Sequence, residues 1–290
     1  MTHQDEFTAH RALLFSIAYE ILGSVADAED ALQDSYLRWR DVNPSTVENK
    51  RSYIAQIVTR QALQMLRSAS RKREEYIGPW LPEPLATSTA ATSGPEHVLT
   101  GEAVSTAMLL VLESLTPDQR AVFVLREVFD FEYGEIAAAV GKSQAAVRQI
   151  NHRARNHVRA RRDVAITTPV DAQPALERCL AAVTSGDIQG LMDALAPDVV
   201  AIVDGGGVVN AARRPVRGRA KVARLMLALL RVWERMGLVS FRFGVYNGAP
   251  ALLVLIEGKL DSLTCIEVHD GLITAAYGVR NPSKLAGVKL

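Results

Sequence analysis

Apolar positions over the first 75 residues repeat at helical spacing. Leu13, Leu14, Ile17, Ala18 and Ile21 form one stripe, and Ala28, Ala31, Leu32, Tyr36 and Trp39 form a second. Steps of three and four place each set on one buried helix face. Pro44 closes this hairpin, and a third helix carries Ile54, Ile57, Ala62 and Leu66 before turning basic at Arg67, Arg71, Lys72 and Arg73. The rhythm stops in residues 78–97, GPWLPEPLATSTAATSGPEH, where four prolines among Ser, Thr and Gly mark a linker. Pro82 and Pro84 fix φ and disfavour helix in the residue before each, so its first part is expected to be extended.

Helical spacing resumes near residue 102. Leu109, Leu110, Leu112 and Leu115 lead to Thr116-Pro117-Asp118, a cap followed by proline in the first helical turn. Phe131, Ile136, Ala137 and Val140 make a short stripe, Gly141 interrupts it, and Val147, Ile150, Ala154 and Val158 make another behind Ser143. Helix, turn at glycine and a serine-capped second helix is the helix-turn-helix layout. Past Asp163, TTPVDAQP reads as a shorter linker, and the character then changes. Two short helices are expected over 176–183 and 191–195, a strand over 199–203 ending at Asp204 and three glycines, and a long helix over 218–233. Strands over 239–245, 252–260 and 263–268 follow, then an Asp270-Gly271 hairpin signal and a last strand over 272–279. The predicted fold is multidomain: all-α domains over 1–77 and 102–163, linkers over 78–101 and 164–173, and an α+β domain over 174–290 with helices covering a mostly antiparallel sheet.

Composition then narrows the function. The chain has 290 residues and a net charge of only +1, so it is no general polyanion binder. Its charge is uneven, which implies two different partners. Residues 142–162 hold seven Lys or Arg and no acid, and Lys142, Ser143, Gln144, Arg148, Gln149, His152, Arg153 and Arg155 project away from the apolar stripe. Arg and Gln on such a helix can reach base edges in the major groove while other Arg side chains hold phosphates. Asp27, Glu29, Asp30 and Asp34 gather near the N-terminus, with Asp27, Asp30 and Asp34 on one helix face. Cys179 and Cys265 are isolated and lack metal spacing, and no cofactor-binding motif is present. No signal peptide and no apolar run of membrane-spanning length is evident, so a cytoplasmic protein without a membrane partner is expected.

These features together resemble a bacterial extracytoplasmic-function sigma factor, of the class with a fused C-terminal SnoaL-like domain, over almost the whole chain. ADAEDALQDSYLRWR at 26–40 is similar to the helix with which such factors grip the β′ coiled coil of RNA polymerase. The resemblance therefore assigns Asp27, Glu29, Asp30, Gln33 and Asp34 to core binding. SYIAQIVTRQALQMLRSASRKRE at 52–74 is similar to the element that melts and holds the downstream promoter element, placing Arg60, Gln61, Arg67, Arg71, Lys72 and Arg73 on DNA. Residues 103–162 resemble the domain that reads the upstream element, with the β flap of the polymerase as its further partner.

Short motifs narrow the class. WLPEPL at 80–85 resembles its signature linker, NPSKL at 281–285 its C-terminal signature, and Asp204-Gly205-Gly206-Gly207 a DGGGK loop in which Val208 replaces the lysine. Ser283 likewise stands where an acid is more frequent. The resemblance implies that the SnoaL-like domain regulates in cis by gripping Trp80, Leu81, Pro82, Glu83 and Pro84 with Asp204, Gly205, Gly206, Asn281, Pro282, Lys284 and Leu285. It also implies a cone-shaped pocket able to hold an unidentified small-molecule ligand. Asp204, His269 and Asp270 are the candidate general bases of an enzymatic reading, but turn chemistry explains all three, so no catalytic residue is expected. The rival reading is a conventional helix-turn-helix regulator with a ligand-binding C-terminal domain, which leaves the acidic helix without a role.

Overall fold

A computed structural model describes residues 2–74, 76–87, 105–161 and 169–288, with the side chains of 69–74, 161 and 169–171 left aside. Two compact units emerge, one of Met1–Glu75 with Thr92–Asp163 and one of Tyr76–Ala91 with Val164–Leu290.

The first unit is helical. α1 (His3–Leu22) starts at a Thr2–Asp5 capping box and ends at Gly23 in the left-handed region. α2 (Val25–Arg40) and α3 (Lys50–Glu74) complete a three-helix core in which Leu14, Ile17, Trp39, Ile54 and Val58 are fully buried. α4 (Thr106–Glu113) and α5 (Pro117–Phe123) follow, the latter entered through a Thr116–Gln119 capping box with proline at its first position. α5 widens into a π-helical turn at Val124–Val128, where the Phe129 N–H donates to the Val124 carbonyl (3.2 Å). α6 (Tyr133–Val140) stops at Gly141 (φ 68°), and α7 (Gln144–Arg161) begins behind Ser143, whose hydroxyl accepts from the Ala146 N–H (3.2 Å). The predicted helix-turn-helix is thus present, with Val147, Ile150, Ala154 and Val158 buried.

The second unit is α+β. α8 (Pro169–Ser185) and α9 (Ile188–Ala194) precede β1 (Leu195–Asp204) and the two-residue β2 (Val216–Arg217), and α10 (Arg219–Met236) leads into β3 (Val239–Tyr246), β4 (Ala249–Ile256), β5 (Lys259–His269) and β6 (Leu272–Val279), with a short α11 (Pro282–Leu285) closing the chain. Strand order is β2-β1-β6-β5-β4-β3, antiparallel except for β1 beside β6. One face, through Val199, Ala201, Ile266 and Ala276, packs on α8, α9 and α10 and forms the main core.

Two local expectations change, and one short strand, β2, was not expected. Residues 169–173, read as linker, open α8, and Pro174 is accommodated within that helix. The strand break expected at 261–262 lies instead at Glu257-Gly258, whose φ values of 50° and 75° make the turn. β2 has too few residues to show a period.

Candidate nucleic-acid interface and linker clamp

The residues that the sequence singled out on α7 lie on its exposed side. Gln144, Arg148, Gln149, His152, Arg153 and Arg155 are exposed on α7, as are Lys142 and Ser143 before it. Several of these groups are occupied: Arg148 lies over the Tyr133 ring (5.2 Å), and Arg155 pairs with Glu127 (3.5 Å).

The basic face of α3 is occupied in the same way, by groups of the helix-turn-helix half of the unit. Arg60 donates to the Ala138 (2.6 Å) and Ala139 (3.4 Å) carbonyls in the last turn of α6, where the helix dipole is negative. Arg67 and Lys142 both bind Asp118, at 2.8 and 3.0 Å. Burial alone would raise the Asp118 pKa, but these two cations hold it below the ordinary carboxylate range. Arg51 lies over the Phe131 ring (4.9 Å). Fully buried Arg120 donates to the Glu20 carbonyl (2.9 Å) and pairs with Glu113. Gln61 departs from its expected place: it is buried, and its amide nitrogen donates to Asp34 (2.7 Å), because it falls on the core side of α3. The side chains of Arg71, Lys72 and Arg73 lie outside the described residues.

On α2, Asp30, Gln33 and Asp34 are exposed, in line with exposed Leu37 at spacings of three and four. Asp27 is half-buried, and Glu29 is committed to Arg11 (2.6 Å). The free acidic face is therefore narrower than the sequence suggested.

In the second unit, residues 76–87 form a strap fixed at both ends. At one end Asp204, 0 % exposed, is the hub. Its carboxylate accepts from the Tyr76 hydroxyl (2.6 Å), the Leu81 N–H (2.9 Å), the Gly206 N–H (2.9 Å) and Lys284 Nζ (2.8 Å). Lys284 also donates to the Leu81 carbonyl and stands over the Trp80 ring (4.1 Å). Four donors on one buried carboxylate tie the strap, the glycine loop and α11 to a single point. Burial first, and then its bond to Asp204, push the Tyr76 hydroxyl pKa upward.

Asn281 joins the hub through its amide, which donates to the Tyr76 hydroxyl (2.9 Å), while its side-chain oxygen caps α11 at the Ser283 N–H (3.1 Å). Gly206 sits at φ 62°, and a Cβ there would run into the Asn281 amide. Arg280 anchors this end by a two-point pair with Asp261 (2.9 and 3.1 Å) and a bond to the Asn210 carbonyl (2.7 Å). At the far end Asn247 exchanges two bonds with Leu85, at 2.8 and 3.0 Å, and the Thr87 N–H donates to the Val245 carbonyl (2.9 Å). Between the anchors Leu81, Pro82, Pro84 and Leu85 are buried, Trp80 and Glu83 partly so. Leu285 is buried and Pro282 exposed.

Beside the hub lies a cavity of about 220 Å³ lined by Ile77, Pro79, Val203, Gly205, Asn210 and Arg213 among others. His269 and Asp270 are exposed at a hairpin and lie 3.4 Å from one another. The lysine missing from the glycine loop leaves no gap in the hub: Lys284 supplies the cation, and Val208 is exposed. Tyr76, Asn247, Asp118 and Arg120 were not flagged by the sequence, since each matters only through a distant partner. The Tyr76–Asp204 bond, for instance, spans 128 positions.

Residues 7–72 match the model of sigma-70 region 2, and residues 105–158 match sigma-70 region 4. The chain is 36 % identical to the Mycobacterium tuberculosis ECF RNA polymerase sigma factor SigJ, covering 98 % of this chain and 94 % of that one. It is 29 % identical to the probable ECF RNA polymerase sigma factor SigI of the same species, covering 96 % and 92 %. The crystal structure of M. tuberculosis SigJ superposes with a TM-score of 0.77 at 33 % identity, covering 99 % of each chain.

Proposed function

Because the chain belongs to the extracytoplasmic-function RNA polymerase sigma factors, binding core polymerase and directing promoter-specific initiation, we propose that its C-terminal SnoaL-like unit regulates it in cis through the strap. The observation that carries this reading is the Asp204 hub. Four donors, two of them from the segment joining the two sigma regions, converge on one buried carboxylate. A linker committed in this way over residues 76–87 cannot also follow the polymerase surface freely, so the hub acts as a restraint on the spread of the two regions. The inhibitory sense follows from the first unit, where Arg60, Arg67 and Lys142 are engaged internally instead of being offered to DNA.

Core binding falls to Asp30, Gln33 and Asp34, with Asp27 at the margin. Upstream promoter reading falls to Gln144, Arg148, Gln149 and Arg153, and downstream contact to Arg60 and Arg67 once released. Members of this family act by binding and strand separation, on polymerase in the cytoplasm. The C-terminal unit is read as non-catalytic because Asp204, its best candidate base, has every lone-pair direction engaged by donors. No helix among the described residues is long and apolar enough to cross a membrane. The cavity beside the glycine loop is the place for a small-molecule effector, since its lining includes both the strap and the loop.

Two measurements test this. Purified chain should bind bacterial core polymerase and lose that binding on Asp30→Arg/Asp34→Arg substitution; binding that survives would remove the assignment of α2. Deleting 281–290 should make the strap protease-sensitive and raise promoter output; unchanged output with a cleavable strap would remove regulation through it.

A further inference from the structure

The helix α10 carries a second basic surface that no promoter-reading element accounts for. Between residues 213 and 235 the sequence has eight Lys or Arg and a single acid, Glu234, in a chain whose total net charge is +1. Lys221, Arg224, Arg231 and Arg235 are exposed and follow one another at spacings of three, seven and four, with exposed Ala228 filling the gap. At 100° per residue they occupy one face, opposite buried Val222, Ala223, Leu230 and Trp233. Arg213, Arg214 and Arg217, also exposed, extend the same charge toward the helix start. The ion pairs of this unit among the described residues are Arg280–Asp261, Lys284–Asp204 and His269–Asp270, so the stripe is not neutralised by them.

From this we infer that α10 is a second, sequence-independent contact to the phosphate backbone of duplex DNA. The stripe runs for about 21 Å, since fourteen residues rise about 1.5 Å each, a length over which a duplex presents many phosphates. Its chemistry disfavours the other partners. Protein interfaces favour Arg but centre it on aromatic or large apolar anchors, and the stripe positions 221, 224, 228, 231 and 235 hold none. A membrane-surface helix inserts a continuous apolar face into lipid, whereas Val222, Ala223, Leu230 and Trp233 of α10 are buried and only Val232 and Met236 among its large apolar side chains are exposed. Connectivity favours DNA as well. Only seven residues, 162–168, separate α7 from α8, a span of at most about 25 Å. A recognition helix seated on a promoter therefore keeps the stripe at high effective concentration beside the same duplex. The contact would add affinity and upstream footprint without adding sequence preference.

The inference rests on the DNA-binding reading above, and the test separates the two. Full chain is titrated onto a long random-sequence duplex between about 50 and about 200 mM salt, comparing wild type, Arg224→Gln/Arg231→Gln/Arg235→Gln and Arg148→Gln/Arg153→Gln. Each lost phosphate contact should flatten the slope of log affinity against log salt by about 0.9, so the α10 variant should lose about 2 to 3 and the α7 variant about 2. Melting midpoints should match wild type, all five side chains being exposed. A wild-type slope for the α10 variant beside a flattened slope for the α7 variant would overturn the stripe and leave the sigma reading standing. The reverse pattern would overturn the helix-turn-helix reading instead. A stripe variant that binds DNA as before but loses binding to phosphatidylserine vesicles would assign α10 to membrane and overturn the inference.

Discussion

Asp118 is where two residues expected on promoter DNA meet, and on the proposed reading it stands in for phosphate as a decoy. Asp118→Asn should free Arg67 and Lys142 and steepen the salt dependence of duplex binding by up to about 2. The accompanying loss of an acid from the first turn of α5 should cost only about 0.5 kcal/mol of stability. Weaker DNA binding in a folded variant would contradict the decoy role. At the hub, Lys284→Met leaves a buried carboxylate unpaired and should cost about 3–5 kcal/mol, measured by denaturant titration of the second unit. Adding Asp204→Asn should recover part of that loss. Glu267 offers a pH test: burial first, partly opposed by its bond to Tyr277, raises its carboxyl to about 7. A raised carboxyl pKa stabilises the fold at acid pH, fully below about 4.5, and that contribution is lost as pH rises to about 7. Glu267→Gln should therefore flatten the decline in melting temperature over that window, by at most about 3 kcal/mol. An identical decline in both proteins would contradict the assignment. Which partner each of these groups meets was not legible from sequence, although Asp204 and Lys284 were assigned to the clamp and Arg67 and Lys142 to DNA. Asp118 read as a helix-start residue and Tyr76 fell between the helical run and the linker without a reading, because the carboxylates and cations they meet are fixed only by the packed chain.

At the scale of elements, sequence carried further. The α7 stripe, its Ser143 cap and the Gly141 stop are local signals, and local signals survive folding. Ser143→Ala should cost about 1 kcal/mol of stability. Arg148→Ala should cost about 1–3 kcal/mol of promoter affinity and relax preference at one base pair, whereas Arg155→Ala should weaken all sequences alike. Equal losses across promoter variants for both would contradict the division. Strand boundaries were less legible. Val, Leu and Ile run through both sides of Glu257-Gly258, so periodicity could not locate a turn that depends on two positive φ values. The strap was more legible: its prolines pointed to a non-helical segment and its motif to a gripped one, and Leu81, Pro82, Pro84 and Leu85 are buried in a stretch without helix. The buried face of Gln61 was silent, since a single polar residue on a basic helix carries no periodic signature.

At the scale of the whole molecule, two compact units divide the chain so that the segment after α3 belongs structurally with the C-terminal unit and not with the sigma regions it joins. On the proposed reading, that allotment is what turns a spacer into a regulatory handle. The order of elements and the family were readable from sequence because regions 2 and 4 are written in helical periodicity and charge. The clamp was readable only as a set of short motifs, without the hub that binds them. The most direct test of the account is a double-mutant cycle on promoter-directed transcription by reconstituted holoenzyme, with Trp80→Ala on the strap and Lys284→Met on the clamp. If both residues act through one contact, each single variant should raise output and the double variant should raise it no further than the stronger single. Additive effects of the two substitutions, or wild-type output from all three variants, would contradict regulation through the strap.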